Sequence, residues 1–445
     1  MKKKARKTQS KCRFLVRTLI STVPLSVLLA AWSARAQEGL SDAMANEQAE
    51  RAQANQEESP NYTFREGDFR MLLVPSLSMQ WNDNINCTDT GQQDDFIVLP
   101  TLGVNMSYPL TERNLLQLNV TAGYNKYLLH PSLSSWYLSA GSGFSFDVYI
   151  KDIIINLHDR ISYVQDSAGN AEVAGTGSYG TFNNSAGLSG RWSLRYVDFT
   201  VGYDHQNTIA SSSQFSDTDN STEAAYAQAG YRWNPALTTG LEGTFSYTKY
   251  DQDVLNDTTA YSLGVYGDWH PDKFLEVEPR VGYVINEYAN SSQLQTSGLG
   301  SWYADLTVVH KITRSLNYSI DVGRNVSSAA QSTADEYWYA NTGITWNFIR
   351  NFSFAPQLFI QNGKQGGGTT YTGSLPANQF FNGHPNLLQG SESYDWYGGS
   401  LAFNYAITRR ISLGMNYQFT QRTSSIHGRG YTQNVVGIQI TYHTI

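Results

Sequence analysis

Glu276, Glu278 and Arg280 alternate with Leu275, Val277, Pro279 and Val281. On an extended strand that spacing puts the three charges on one face and the apolar residues on the other. Arg160, Arg191, Asp147, Asp198, Asp204, Asp305 and Asp321 take the same polar parity in their own segments. A face that mixes both charge signs with Ser, Thr, Asn and Gln can set ion selectivity or steer a polar solute along a wet path. The same face can also be a salt-bridged wall that merely fills space.

Other chemistry finds less support. The histidines are His130, His158, His205, His270, His310, His384, His427 and His443. Asp204 and His205 are sequence neighbours, so on a strand they point to opposite faces and form no direct dyad. His158, Arg160 and Ser162 share one face and read as a polar ladder, and no nucleophile–base constellation emerges. Gly175-Thr-Gly177-Ser-Tyr-Gly180 matches G-x-G-x-x-G, yet no βαβ unit surrounds it, so it reads as a loop. Cys12 lies in the N-terminal segment, which leaves Cys87 alone, without a disulfide partner or a thiolate metal cluster. The expectation is a protein that is not an enzyme, with no cofactor, no metal site and no catalytic residue.

One segment stands apart by length. Gly363 to Ser393 is about thirty residues, and loops beyond about 12–15 residues without structure are functional or disordered. Tyr371, Phe380, Phe381 and His384 lie there among glycines. Folded inward, they would form a constriction loop able to stack on sugar rings.

Positioning such faces takes strands. In Leu115–Tyr124 the residues Leu116, Leu118, Val120, Ala122 and Tyr124 alternate with Gln117, Asn119, Thr121 and Gly123. Ile411, Leu413, Met415, Tyr417 and Phe419 alternate in the same way with Ser412, Gly414, Asn416 and Gln418. The polar face is small and uncharged in segment after segment, which is the pattern of a sheet with lipid outside and water inside. Short connections fall near 109–112, 149–152, 194–196, 234–237, 270–273, 312–315, 349–351 and 407–410. Longer polar ones fall near 83–94, 128–134, 166–180, 206–219, 252–258, 289–298, 327–335, 363–393 and 423–430. Together they predict an all-β, transmembrane, antiparallel up-and-down barrel of about 18 strands (16–20), with short periplasmic turns and long extracellular loops.

Aromatic residues collect at the strand ends. Tyr108, Trp233, Trp269, Trp346 and Tyr405 stand beside short turns, and Trp81, Trp136, Tyr247, Trp302 and Tyr417 toward the long loops. Two such girdles are what the membrane interfaces select. One residue fits badly: Asp159 falls outward between Leu157 and Ile161, which asks for a register shift or a covering protomer.

The N-terminus has a basic region, an apolar stretch from Leu19 to Ala31 that is too short to span, and Ala34-Arg35-Ala36. This is the layout of a cleavable signal peptide over 1–36. Its removal leaves 22 basic against 38 acidic residues, a net charge of −16. Such a balance argues against nucleic acid as partner. Residues 37–68, rich in Ala, Gln and Glu, read as a polar periplasmic segment that is flexible or a short helix, and 69–445 as the barrel. The mean hydropathy of −0.39 does not oppose this, because alternation hides the apolar surface of a barrel.

Trp81-Asn-Asp-Asn-Ile85, then Asp94-Asp95-Phe96, then Leu99-Pro100-Thr-Leu-Gly103 resemble the start of the porin-2 family of bacterial outer-membrane β-barrels. Leu110-Thr-Glu-Arg113, Ile312-Thr-Arg314 and Ile407-Thr-Arg-Arg410 are similar to its recurring turn. Gly437–Ile445 resembles the terminal strand that barrel-assembly machinery recognises, although three residues follow Tyr442. The resemblance implies the bacterial outer membrane and the barrel fold, with no catalytic residues to transfer. Its members often look associated with exopolysaccharide export, which adds polysaccharide to the cargoes considered.

The sequence therefore predicts a porin-like channel for passive or gated passage of small hydrophilic solutes or a polysaccharide. An interior of this width is too large for side chains alone to fill. The alternative is a structural or accessory barrel whose loops bind glycans or other cells. The candidate lumen-lining residues are Arg160, Arg191, Glu276, Glu278, Arg280, Asp305 and Asp321. The expected partners are outer-membrane lipid, assembly machinery during insertion, and a carbohydrate or small-solute cargo.

Overall fold

The computed structural model describes residues 62–444, apart from 112–113, 178, 290–293, 297, 328–333, 367–368, 372–379, 382–383 and 389–390. The signal segment and most of 37–68 lie outside the described residues. Eighteen long strands follow one another: β1 Phe69–Asn82, β2 Asp95–Pro109, β3 Leu115–Tyr127, β4 Ser135–Ile150, β5 Ile153–Gln165, β6 Gly180–Ser193, β7 Val197–Ala210, β8 Asn220–Asn234 and β9 Leu237–Tyr250. The second half is β10 Thr258–Trp269, β11 Leu275–Tyr288, β12 Leu299–His310, β13 Leu316–Ser327, β14 Asp335–Ile349, β15 Phe352–Gln365, β16 Glu392–Ala406, β17 Ile411–Ser424 and β18 Tyr431–Tyr442.

Each strand pairs antiparallel with the next, and β1 pairs with β18 from Ser76 opposite Thr441 to Asn82 opposite Val435. The sheet therefore closes, and closure removes the unpaired edge that an open sheet would present. This is the eighteen-stranded antiparallel barrel that the alternation predicts, with the turns where the sequence places them. A short strand, Phe64–Glu66, folds back on β1 beside the short turns, where Thr63 and Thr444 meet. Both described ends thus lie on the short-turn side.

The alternation also sets the surface. Leu263 is 69 % exposed, Leu358 64 % and Leu241 58 %, all on the outward parity. Their strand neighbours Ser262 and Glu242 are buried on the other face. A band of exposed apolar side chains of this kind is one that lipid covers. Every girdle residue named above is exposed except Trp81, which is half-buried.

Inside, tyrosines lie flat along the wall over glycines. A Cβ on Gly264 or Gly282 would stand 2.1 and 2.4 Å from atoms of the Tyr303 ring. Tyr226 over Gly202 and Tyr394 over Gly363 repeat the arrangement. Aromatic bulk is thereby spread along the wall instead of across the barrel.

Asp159 stays on the outward parity, opposite exposed Phe144. One register shift lies in the β3–β4 ladder at Asn119/Ala122, and another in Asp159's own β4–β5 ladder at Leu138/Ser142, a few residues from the Phe144–Asp159 pair. Its Oδ1 accepts a 2.6 Å hydrogen bond from Asn184 Nδ2, which offsets part of the cost of a carboxylate there.

Met415 is exposed outward and Asn416 faces inward in the next position. Met415→Arg is expected to destabilise the folded barrel in lipid by about 2–4 kcal/mol, and Asn416→Arg by much less. Denaturant unfolding in vesicles measures both. Equal losses at the two positions would remove the lipid-outside assignment.

Candidate functional site: the lumen wall and its crossing loop

Three groups of inward side chains face the barrel interior. The first spans β9 to β14. Arg280 Nη1 donates to Glu242 Oε2 at 2.7 Å and its Nη2 stands 3.7 Å from Glu278. Tyr303 Oη donates to the other Glu242 oxygen at 3.0 Å, and the guanidinium lies over the Tyr266 ring. Asp305 accepts from Tyr339 at 2.6 Å, and Asp321 lies against Asp305, Asn341 and Thr307. Glu276, nearer the short turn, approaches His270 at 3.5 Å. Five of the sequence candidates, Glu276, Glu278, Arg280, Asp305 and Asp321, thus share one stretch of wall. Glu242, which organises it, was not among them: with Gly243 beside it, parity there gives only a weak signal.

The second group lies on β4 to β7. His158 Nε2 is 2.7 Å from Asp204 Oδ1, and its Nδ1 is 2.8 Å from Asn156 Oδ1. Asn156 donates in turn to Ser145 and Asp147 at 2.8 and 2.7 Å. Asp204 therefore pairs across the sheet with His158, while its neighbour His205 points outward to Glu223 at 2.9 Å. Arg160 and Arg191 share the inward parity of His158, and Arg191 is exposed to the interior.

The third group was not foreseen. The connection 166–179, between β5 and β6, reaches the wall formed by β15 to β18. Ala171 packs against Phe359, Tyr394 and Trp396. Arg422 Nε donates to the Ala171 carbonyl at 2.6 Å, and Arg429 Nη2 to the Glu172 carbonyl at 2.6 Å. Both arginines converge on Glu392, whose side chain is fully buried, at 2.7 and 3.0 Å. Arg422 also stacks over Tyr394, whose hydroxyl donates to Asp335 at 2.5 Å. These charge-assisted bonds satisfy two loop carbonyls and so select the seat of the loop on this wall.

The loop's own sequence explains its path. Gly175 has φ +79°, and its N–H donates to the Cys87 carbonyl at 2.9 Å. At Gly177 a Cβ would stand 2.6 Å from the Ile85 carbonyl oxygen. The G-x-G motif is therefore a packing device that lets 166–179 pass close over the 83–94 connection. That connection is itself anchored, since Asn84 donates to Thr88 and Thr432 and its carbonyl accepts from Gln433. Cys87 is buried beside Ala168 and Tyr431. Burial, and then the Asp166 charge, push its thiol well above its usual range, so it behaves as an inert packing residue.

The residues expected to form the constriction lie in a segment of which only part of the backbone is described. In 366–391 only short backbone ladders are described: Thr369–Tyr371 with Leu294–Thr296, and Phe380–Phe381 with His384–Leu388. The side chains of Tyr371, Phe380, Phe381 and His384 lie outside the described residues.

No family model matches the chain, and no curated protein matches it in sequence. Among solved structures it is similar to Pseudomonas aeruginosa OccK2 (OpdF) in complex with glucuronate, at 8 % identity and TM-score 0.47, over 85 % of this chain and 99 % of that one. It is similar to Pseudomonas aeruginosa OpdQ at 9 % identity and TM-score 0.45, over 85 % and 100 % of the two chains. Acinetobacter baumannii OccAB3 gives 8 % identity and TM-score 0.45 over 84 % and 99 %.

Gly177→Val tests the crossing loop directly. Forcing the loop off Ile85 should cost about 1–3 kcal/mol, as overpacking does. Limited proteolysis should then cut within 166–179 faster than in the parent, while heat-modifiable mobility on gels stays intact. Unchanged cleavage would mean that the Ile85 contact does not hold the loop.

Proposed function

We propose that the protein is an outer-membrane channel for small hydrophilic solutes, narrowed by the 166–179 loop and lined by the acidic and basic wall groups. The observation that carries this reading is a loop bound across an otherwise polar barrel interior by Arg422 and Arg429. A plain structural barrel has no need for such a crossing segment, and a crossing segment favours small solutes over a polymer. His158 supports a non-enzymatic reading, because both its ring nitrogens are engaged by wall residues. The motifs at Trp81–Ile85 and Asp94–Phe96 support placement with the porin-2 family. Asp95 gives them a structural task, since its buried carboxylate accepts the N–H groups of Leu128, Leu129 and His130 at 2.9, 3.0 and 2.7 Å.

Orientation follows the rule for such barrels, with short turns in the periplasm. An epitope tag at Ser374 should be detected on intact cells, and one at Arg409 only after permeabilisation. The reverse pattern would overturn the orientation.

Carboxylates outnumber guanidinium groups on the described wall, so the open channel should favour cations. Reversal potentials across a planar bilayer with a salt gradient should take the cation-selective sign. Glu278→Gln should weaken that preference. Absence of conductance from correctly folded protein would end the channel reading and leave the accessory barrel in its place.

A further inference from the structure

Asp268, at the end of β10, His270, in the turn, and Glu276, at the start of β11, bring one donor atom each to within 4.8 Å of one another. The turn that holds them is fixed by its own backbone. His270 N–H donates to the Ala236 carbonyl at 2.7 Å, and Asp272 Oδ1 accepts from Phe274 and Leu275 at 2.6 and 3.1 Å. Within the group the contacts differ. His270 Nδ1 stands 2.8 Å from Asp268 Oδ1, a full hydrogen-bond distance. His270 Nε2 stands 3.5 Å from Glu276 Oε1, long for a charge-assisted bond. Two ligands at about 2.1 Å on a tetrahedral ion lie about 3.4 Å apart, and the His270–Glu276 gap matches that spacing.

We propose that these three residues form a binding site for a borderline divalent cation of the zinc type at the short-turn mouth of the barrel. Glu276 supplies an oxygen and His270 the Nε2 nitrogen. Asp268 Oδ1, 2.8 Å from Nδ1, lies where a small turn of either side chain would let it take the Nδ1 proton and leave Nε2 to ligate, the role of an outer carboxylate in carboxylate–histidine–metal triads. An imidazole and carboxylates suit zinc or cobalt better than calcium, which takes oxygen donors throughout. Water completes the shell, since the three side chains are only partly buried. The sequence pattern did not suggest a metal, because D-x-H followed by a Glu six residues on matches no standard ligand spacing.

The test is metal binding and is independent of any channel activity. The folded full chain in detergent, without a polyhistidine tag, is titrated with Co²⁺ while the visible absorption is followed, and the Co²⁺ is then displaced with Zn²⁺. One Co²⁺ per chain with a tetrahedral band is expected. H270A and the near-isosteric E276Q should each weaken binding at least tenfold, and D268N by about 10–100-fold, as for other outer-shell carboxylates. His427→Ala, in a long connection, should bind as the parent does. Heat-modifiable mobility confirms folding of each variant. A parent that binds neither ion, or E276Q and H270A that bind like the parent, would overturn the site.

Discussion

Lipid offers no hydrogen bonds, and that single constraint orders this molecule. Each backbone N–H and C=O in the apolar band must find a partner in a neighbouring strand, so the sheet has to close, and β1 meets β18 to do so. Once it is closed, the period of two leaves no choice about faces. Leu263 goes to lipid because Ser262 goes inside, and the same step along β9 puts Leu241 out and Glu242 in. The polar wall is therefore a consequence of closure. Its charges then need partners of their own, and Arg280 with Glu242 and Glu278 is one answer.

Closure of eighteen strands creates a second demand. The interior is too wide for wall side chains to span. The tyrosines make this plainer, for Tyr303 lies over Gly264 and Gly282 along the wall and adds no bulk toward the axis. A length of main chain can reach further, and 166–179 leaves the β5–β6 end and packs on the β15–β18 wall. Main chain brings unpaired carbonyls with it, and a buried carbonyl without a donor is costly. Arg422 and Arg429 supply those donors at Ala171 and Glu172. Glu392 bridges the two guanidinium groups, so loop and wall are polar complements.

How much of this the sequence discloses depends on the range of the interaction. Alternation, turns and girdles are local, and Leu116 to Tyr124 or Ile411 to Phe419 reveal their faces without any structure. The β11 charges Glu276, Glu278 and Arg280 are equally local. The clamp is not. Ala171 and Arg422 are 251 positions apart, and nothing in either neighbourhood marks the other. The G-x-G motif drew notice as a possible phosphate cradle or a bland loop, yet the fact that decides its role is the Ile85 carbonyl ninety-two positions away. Length marks 363–393 in the sequence, whereas the path of the shorter 166–179 connection depends on residues far from it in the chain. Asp159 is a related case, because the side chain that bonds its carboxylate, Asn184, lies on the next strand.

The clamp also differs in kind from the wall beneath it. If 166–179 left its seat, the arginines and Glu392 would meet lumen water, which can replace the lost hydrogen bonds at small net cost. The ionic contacts therefore set where the loop docks more than how tightly. Water cannot replace the packing of Ala171 on Phe359, Tyr394 and Trp396, nor the fit of Gly177 over Ile85. Holding strength thus resides in small apolar contacts and close backbone approach, and docking specificity in the buried charges. A loop built this way keeps one position across a wide interior, and its tightness can be altered at Gly177 without disturbing the charges that choose its seat.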